Sequence, residues 1–239
     1  MLGRLNLTMV RNPDCKSEIT FNMDIKHFLY GGIPILLLVL FSLAPAGLAA
    51  QNGAQEENET ILFFGDSITA GYGLEEGRAF PAIIQEKIDS LGLSYEVINS
   101  GLSGETSAGG LRRIDWVLQQ GVDIFVLELG GNDGLRGIDP ASTKQNLQGI
   151  IDRVEARYPD ATIILTGMES PPNMGETYTS EFRSIYGELA RSNDVIFLPF
   201  ILEGVAGEPE LNLPDGIHPT AEGHRILAEN VWQVLRPVL

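Results

Sequence analysis

The stretch Ile61-Leu62-Phe63-Phe64-Gly65-Asp66-Ser67-Ile68-Thr69-Ala70-Gly71-Tyr72-Gly73 decides the fold. Apolar, strand-favouring residues stop abruptly at Gly65, and a small polar segment carrying a serine follows at once. A short, wholly apolar run bounded by a turn signal reads as a buried strand of a parallel sheet. In open α/β sheets the chemistry gathers where strands end, at the carboxyl edge. Ser67 stands at that edge and opens the next segment, where backbone N–H groups lack helical partners. Taken alone, Ser67 reads first as a helix N-cap, because Ser and Asp are favoured there. The rest of the chain has to decide.

Downstream, the apolar spacing of Phe80, Ile83, Ile84, Ile88 and Leu91 predicts a helix over 79–91, closed by Gly92. Residues 95–99 read as a second strand ending in the loop 101–107. Leu111, Ile114 and Leu118 mark a helix ending at Gly121, and residues 123–129 form a third strand, apolar enough to be central. That strand breaks into a loop at Gly130-Gly131-Asn132-Asp133-Gly134. Asp139 and Pro140 then supply the N-cap and first-turn proline of a helix facing inward through Leu147, Ile150, Ile151, Val154 and Tyr158. A fourth strand (162–167), a loop (169–175), a helix buried through Phe182, Ile185, Tyr186 and Leu189, and a fifth strand (195–200) follow. The chain continues through a short helix or turn to Gly207 and an irregular loop over 208–218, and closes with a helix over about 220–235. Strict alternation of β and α elements implies one α/β sandwich of three layers, with a five-stranded parallel sheet between helices.

Composition narrows the function. The 239 residues suit one α/β domain plus an extension, and a hydrophobic fraction of 44% supports a substantial core. A net charge of −16 disfavours nucleic acid and other polyanionic partners, and suits small neutral or zwitterionic molecules. The single cysteine, Cys15, excludes an intramolecular disulfide framework and a cysteine-rich metal site.

Residues 1–50 read as an N-terminal extension and signal peptide. Asp24 and Lys26 precede a nearly unbroken apolar run from Phe28 to Leu43, and small residues follow through Ala50. Gly47 and Ala49 offer the small positions that cleavage near Ala49 or Ala50 requires. Met23 is the better-placed start, and an uncleaved apolar run of this length would serve as a membrane anchor. Residues 51–59 read as a polar linker and 60–239 as the mature domain, periplasmic or secreted and free of cysteine.

Four loops fall at the carboxyl edge of the expected sheet, and their polar residues form a set. Asp215-Gly216-Ile217-His218 places a carboxylate three residues before an imidazole, a spacing that one turn can close into a hydrogen bond. Such a pair fixes the imidazole's tautomer and stabilises its cation, as a serine nucleophile requires of its base. Asp215 and His218 would equally serve as loop surface, and His224, near Glu222, is expected to face solvent. Acyl transfer also needs donors for an oxyanion, and the Ser67 N–H, the Gly104 N–H and the Asn132 amide supply three from separate strand ends. Tight turns alone would account for Gly101, Gly104, Gly130 and Gly131. No phosphate-cradling glycine motif occurs. Asp66, Glu105 and Asp133 have no clustered His or Cys, so neither a metal nor a cofactor is expected.

Gly65-Asp66-Ser67-Ile68, Gly104, Gly131-Asn132-Asp133 and Asp215-Gly216-Ile217-His218-Pro219 resemble, in order, the four blocks of the SGNH (GDSL-type) hydrolases. The longer strings, 65–72, 128–137 and 215–219, look most like the bacterial arylesterase, acyl-CoA thioesterase and lysophospholipase group. The resemblance implies a flavodoxin-like sheet, with Ser67 as nucleophile, His218 as general base and acid, and Asp215 orienting it. It also implies an oxyanion hole of the Ser67 N–H, Gly104 N–H and Asn132 side chain. The expected activity is that of a monomeric, exported serine esterase on short- to medium-chain esters, including aryl esters and lysophospholipids, with thioesters incidental. Leu102, Leu135, Ile138, Pro171, Pro172 and Met174 are expected to hold the acyl chain. A carbohydrate O-deacetylase of the same fold and a non-catalytic acyl- or lipid-binding protein are the alternatives.

Overall fold

Why the sheet forms is plain in its central strands. In β1 (Glu59–Gly65) and β3 (Ile124–Glu128) every residue from Ile61 to Gly65 and from Ile124 to Glu128 is buried, so neither face meets water. The computed structural model describes residues 58–239. The expected leader, and the expected linker up to residue 57, lie outside the described residues. Glu59, read as linker, already belongs to β1.

The remaining strands are β2 (Tyr95–Gly101), β4 (Thr162–Thr166) and β5 (Ile196–Leu198). All pair in parallel in the order β2-β1-β3-β4-β5, the flavodoxin-like arrangement. The helices are α1 (Ser67–Ala70), α2 (Phe80–Leu91), α3 (Ser107–Val117), α4 (Gly131–Arg136), α5 (Pro140–Arg157), α6 (Glu176–Asn193) and α7 (Ala221–Leu235). α2 packs with α7 on one side, and α5 packs with both α3 and α6 on the other, as right-handed crossovers require. One apolar core, dominated by Phe63, Phe64, Phe80, Phe125 and Phe182, joins the layers. The chain leaves β1 in one direction and enters β3 on its other flank, so a crevice opens at the carboxyl ends of these two strands.

Several boundaries differ from the sequence reading, and three of them have a clear local reason. β5 stops at Leu198 because Pro199 has no N–H to continue the ladder. α3 starts at Ser107, well before the apolar spacing begins, because the Thr106 hydroxyl accepts from the Gly109 N–H and caps it. Residues 131–136, read as part of a loop, form α4; a glycine-rich polar segment has no apolar period to betray it.

His224 is also a correction: it is buried rather than solvent-facing. Its Nδ1 accepts from the Phe80 N–H at 3.1 Å, and its ring stacks on Phe80, tying the start of α2 to α7. Burial drives its pKa down from 6.5 to about 4, so the folded ring stays neutral where the unfolded chain takes up a proton. Stability from this group is therefore present above pH ~6.5 and is lost as pH falls toward 4, by up to about 3 kcal/mol. In His224→Asn the amide oxygen still accepts from the Phe80 N–H but nothing titrates. Urea denaturation at pH 7 and pH 4.5 should show the variant losing less stability between the two than wild type.

Candidate active site

The serine's position follows from how β1 ends. Asp66 caps α1 by accepting the Ile68 N–H on its Oδ1 at 3.0 Å, which turns the chain sharply and puts Ser67 at the first helical position. The Ser67 hydroxyl lies 3.0 Å from Nε2 of His218. Nδ1 of His218 lies 2.7 Å from Oδ2 of Asp215. The other carboxylate oxygen, Oδ1, accepts the backbone N–H groups of Ile217 and His218 at 2.9 and 3.0 Å. These backbone donors, that of His218 foremost, together with the imidazole hold the Asp215 carboxyl down at about 2, so it is ionised throughout the neutral range. Tyr72 lies against the His218 ring at 4.5 Å between centroids and limits its freedom on one side.

Asn132 is the second residue of α4, and its Nδ2 donates to Oδ2 of Asp66 at 3.2 Å. An amide nitrogen carries two hydrogens, so one remains for another acceptor. Arg136 spans the gap to the β2 loop, donating to the Gly104 carbonyl at 3.1 Å and to Oδ1 of Asn132 at 3.4 Å. Among the described residues no acceptor takes the N–H of Ser67 or of Gly104. Ser67, Gly104 and Asn132 all line one cavity of about 850 Å³, together with His218. A serine activated by an imidazole beside free donors can attack a carbonyl and stabilise the resulting oxyanion.

The acidic residues nearby have structural partners. Asp133 accepts from the Ser107 N–H at 2.8 Å and from the hydroxyls of Ser107 and Thr143, fastening α4 to α3 and α5. Glu105 pairs with Arg113, whose guanidinium also donates to the carbonyls of Gly65 and Ser100 and lies over Phe64. Among the described residues no group of three or more His, Cys, Asp or Glu could hold a metal ion. Burial pushes the Asp66 carboxyl up to about 6, against the pull of its hydrogen bonds to Ile68 and Asn132.

Of the residues expected to hold an acyl chain, Leu135, Pro171 and Pro172 line the cavity. Leu102, Ile138 and Met174 do not; Leu102 points to solvent at half exposure, and Ile138 lies beyond the end of α4. The apolar wall is completed by residues that the sequence reading passed over: Ile68, Met168, Phe200, Leu202 and Ile217. They come from four separate segments, and no periodicity links them. Only their position just after a strand, for Met168 and Phe200, would have pointed to them.

The sequence model of the GDSL-like lipase/acylhydrolase family matches residues 63–226. Esterase TesA of Pseudomonas aeruginosa is 41% identical over 204 residues, covering 85% of this chain and 98% of that protein. Thioesterase 1/protease 1/lysophospholipase L1 of Escherichia coli K12 is 36% identical over 218 residues, covering 91% of this chain and 98% of that protein. A crystal structure of TesA superposes with a TM-score of 0.73 at 41% identity, covering 76% of this chain and all of that one.

Asn132 is aimed by the backbone at Gly130, whose φ of 118° starts α4. A Cβ there would lie 1.9 Å from the Tyr186 hydroxyl, which itself donates to the Leu129 carbonyl at 3.1 Å. Gly130→Ala therefore combines a forbidden φ with a clash in the core. It should cost about 2–4 kcal/mol in denaturant unfolding, with the m-value unchanged.

Proposed function

The chain belongs to the GDSL-like lipase/acylhydrolase family, and from that premise we propose an exported serine esterase that works through an acyl-enzyme. As a member of this family it is a carboxylic-ester hydrolase of the serine type. The observation that carries the mechanism is the unbroken chain from Ser67 Oγ through His218 to Asp215, at 3.0 and 2.7 Å, opening into a largely apolar cavity.

In the first step Ser67 Oγ attacks the ester carbonyl as His218 Nε2 takes its proton. Ionised Asp215 holds the Nδ1 hydrogen and stabilises the imidazolium. The oxyanion is received by the N–H groups of Ser67 and Gly104 and by the spare hydrogen of Asn132 Nδ2. Collapse expels the alcohol, which leaves with the proton from His218. Water then attacks the acyl carbon as the same imidazole takes its proton; collapse breaks the bond to Ser67 Oγ, which recovers the proton from His218, and the carboxylic acid leaves.

The cavity wall formed by Ile68, Leu135, Met168, Phe200, Leu202 and Ile217 suits a hydrocarbon chain better than a sugar. That favours short- to medium-chain acyl esters, aryl esters and lysophospholipids over acetylated glycans; the hydrogen-bonded Ser67, His218 and Asp215 speak against a protein that only binds. Thioesters are chemically within reach of the same site, as the name of the Escherichia coli relative suggests. The apolar run of 28–43 and the small residues that follow support export to the periplasm or medium, with cleavage near Ala49 or Ala50. Among the described residues no helix is long and apolar enough to cross a membrane. The working unit is proposed to be a monomer, since all the groups used come from one chain.

On p-nitrophenyl butyrate, Ser67→Ala should lower kcat by roughly 10⁴-fold or more. Asn132→Ala should cost about 10²–10³-fold. Wild-type turnover in Ser67→Ala would rule out the mechanism.

A further inference from the structure

Glu128 ends the central strand with a fully buried carboxyl that the reaction above does not use. It faces Gly65 across the β1–β3 pairing, and its side chain passes over that glycine into the α1 turn. A Cβ at position 65 would lie 2.5 Å from Oε2 of Glu128 and 2.0 Å from the Thr69 hydroxyl. Gly65 is thus the space that this carboxyl and this hydroxyl need to meet. Oε2 accepts from Thr69 Oγ1 at 2.7 Å and from the Asp66 N–H at 3.3 Å. These donors lie on either side of Ser67 in the chain.

We propose that Glu128 is a positioning residue for Ser67, gripping the turn before and after the serine, and that it does so as an uncharged acid. Its grip satisfies the Asp66 N–H, while the N–H of Ser67, which lines the cavity, has no acceptor among the described residues. Three observations support the uncharged form. Among the described residues no cation pairs with Glu128. Its second oxygen, Oε1, is buried without a hydrogen-bond partner. Burial, together with the like charge of the Asp66 carboxyl, pushes Glu128 well above the usual carboxylate range.

The inference rests on Ser67 as nucleophile, and the experiment separates the two. Glu128→Ala, Glu128→Gln, Thr69→Val and Ser67→Ala are purified, their folding checked by circular dichroism, and kcat and KM measured on p-nitrophenyl butyrate. Misaiming a donor and a nucleophile by a fraction of an ångström should cost Glu128→Ala about 10²-fold in kcat, with KM within about threefold. Glu128→Gln, which presents one carbonyl oxygen to both donors and no charge, should recover to within about fivefold of wild type. Thr69→Val removes one of the two contacts without changing side-chain volume, and should lose about tenfold in kcat; it carries the test if Glu128→Ala does not fold. Wild-type kcat in Thr69→Val, a loss confined to KM, or Glu128→Gln as impaired as Glu128→Ala would each overturn the proposal. An active Ser67→Ala would instead overturn the nucleophile assignment on which it stands.

Discussion

The pairing of Gly65 with Gly101 on one side and with Glu128 on the other is the constraint on which the site depends. Parallel strands in this register end at the same level, so three loops leave the sheet at one height. The turn with Ser67, the loop with Gly104 and the helix with Asn132 are therefore neighbours before any side chain is chosen. The lock is reinforced where the strands end: Arg113 reaches across to the carbonyls of Gly65 and Ser100, and the Leu102 N–H returns to the Gly65 carbonyl. A slip of one residue in β1 would reverse every inward side chain of a strand buried on both faces, which the core does not permit.

The carboxyls around the serine are not electrostatically alike. Asp66 and Glu128 are both buried, and both are pushed toward the neutral form by the loss of water. Asp215, on the far side of the serine, is held in the ionised form by two backbone donors and an imidazole. Carboxyls within one site are thus driven in opposite directions, because one pair is desolvated and the other group is well donated. The ionised group is the one adjoining the imidazole, where a positive charge would develop during turnover. The buried pair act instead on backbone, hydroxyl and amide hydrogens that hold the serine turn.

How much of this could be read from sequence depended on whether the signal was local. The order of strands and helices was legible because buried parallel strands are continuous apolar runs, and because Asp139-Pro140 and Gly92 mark helix ends by their own chemistry. The Asp215–His218 spacing was legible for the same reason, since one turn closes it. α4 was not, because its fold is dictated by Asp133 bonding to residues 26 and 10 positions away. The burial of His224 was hidden too: its partner is the backbone of Phe80, 144 positions earlier. The cavity wall was half-read, since Leu135, Pro171 and Pro172 lie in or beside segments already singled out at strand ends, whereas Phe200 and Leu202 follow a strand that Pro199 cuts short.

His218 reaches the serine from a separate structural module. The segment 211–220 is closed on itself: the Leu213 N–H bonds to the His218 carbonyl at 2.7 Å, the Thr220 N–H to the Leu211 carbonyl at 2.8 Å, and Asn212 pairs with Pro219. Asn212 is anchored in turn by its side chain to the carbonyls of Val205 and Glu208. Within this closed loop Asp215 is bonded to the Ile217 and His218 N–H groups and to the imidazole, contacts that do not involve Ser67. The serine turn, conversely, is held from β1, β2, β3 and α4, through Glu128, the Asn99 amide on the Thr69 carbonyl and Asn132 on Asp66. The two units meet through one hydrogen bond of 3.0 Å, flanked by the contact of Tyr72 with the imidazole. With its ring held by Asp215 and bordered by Tyr72, the imidazole keeps one tautomer and one orientation, and in the proposed mechanism it serves the serine in the first step and incoming water in the second from that same place.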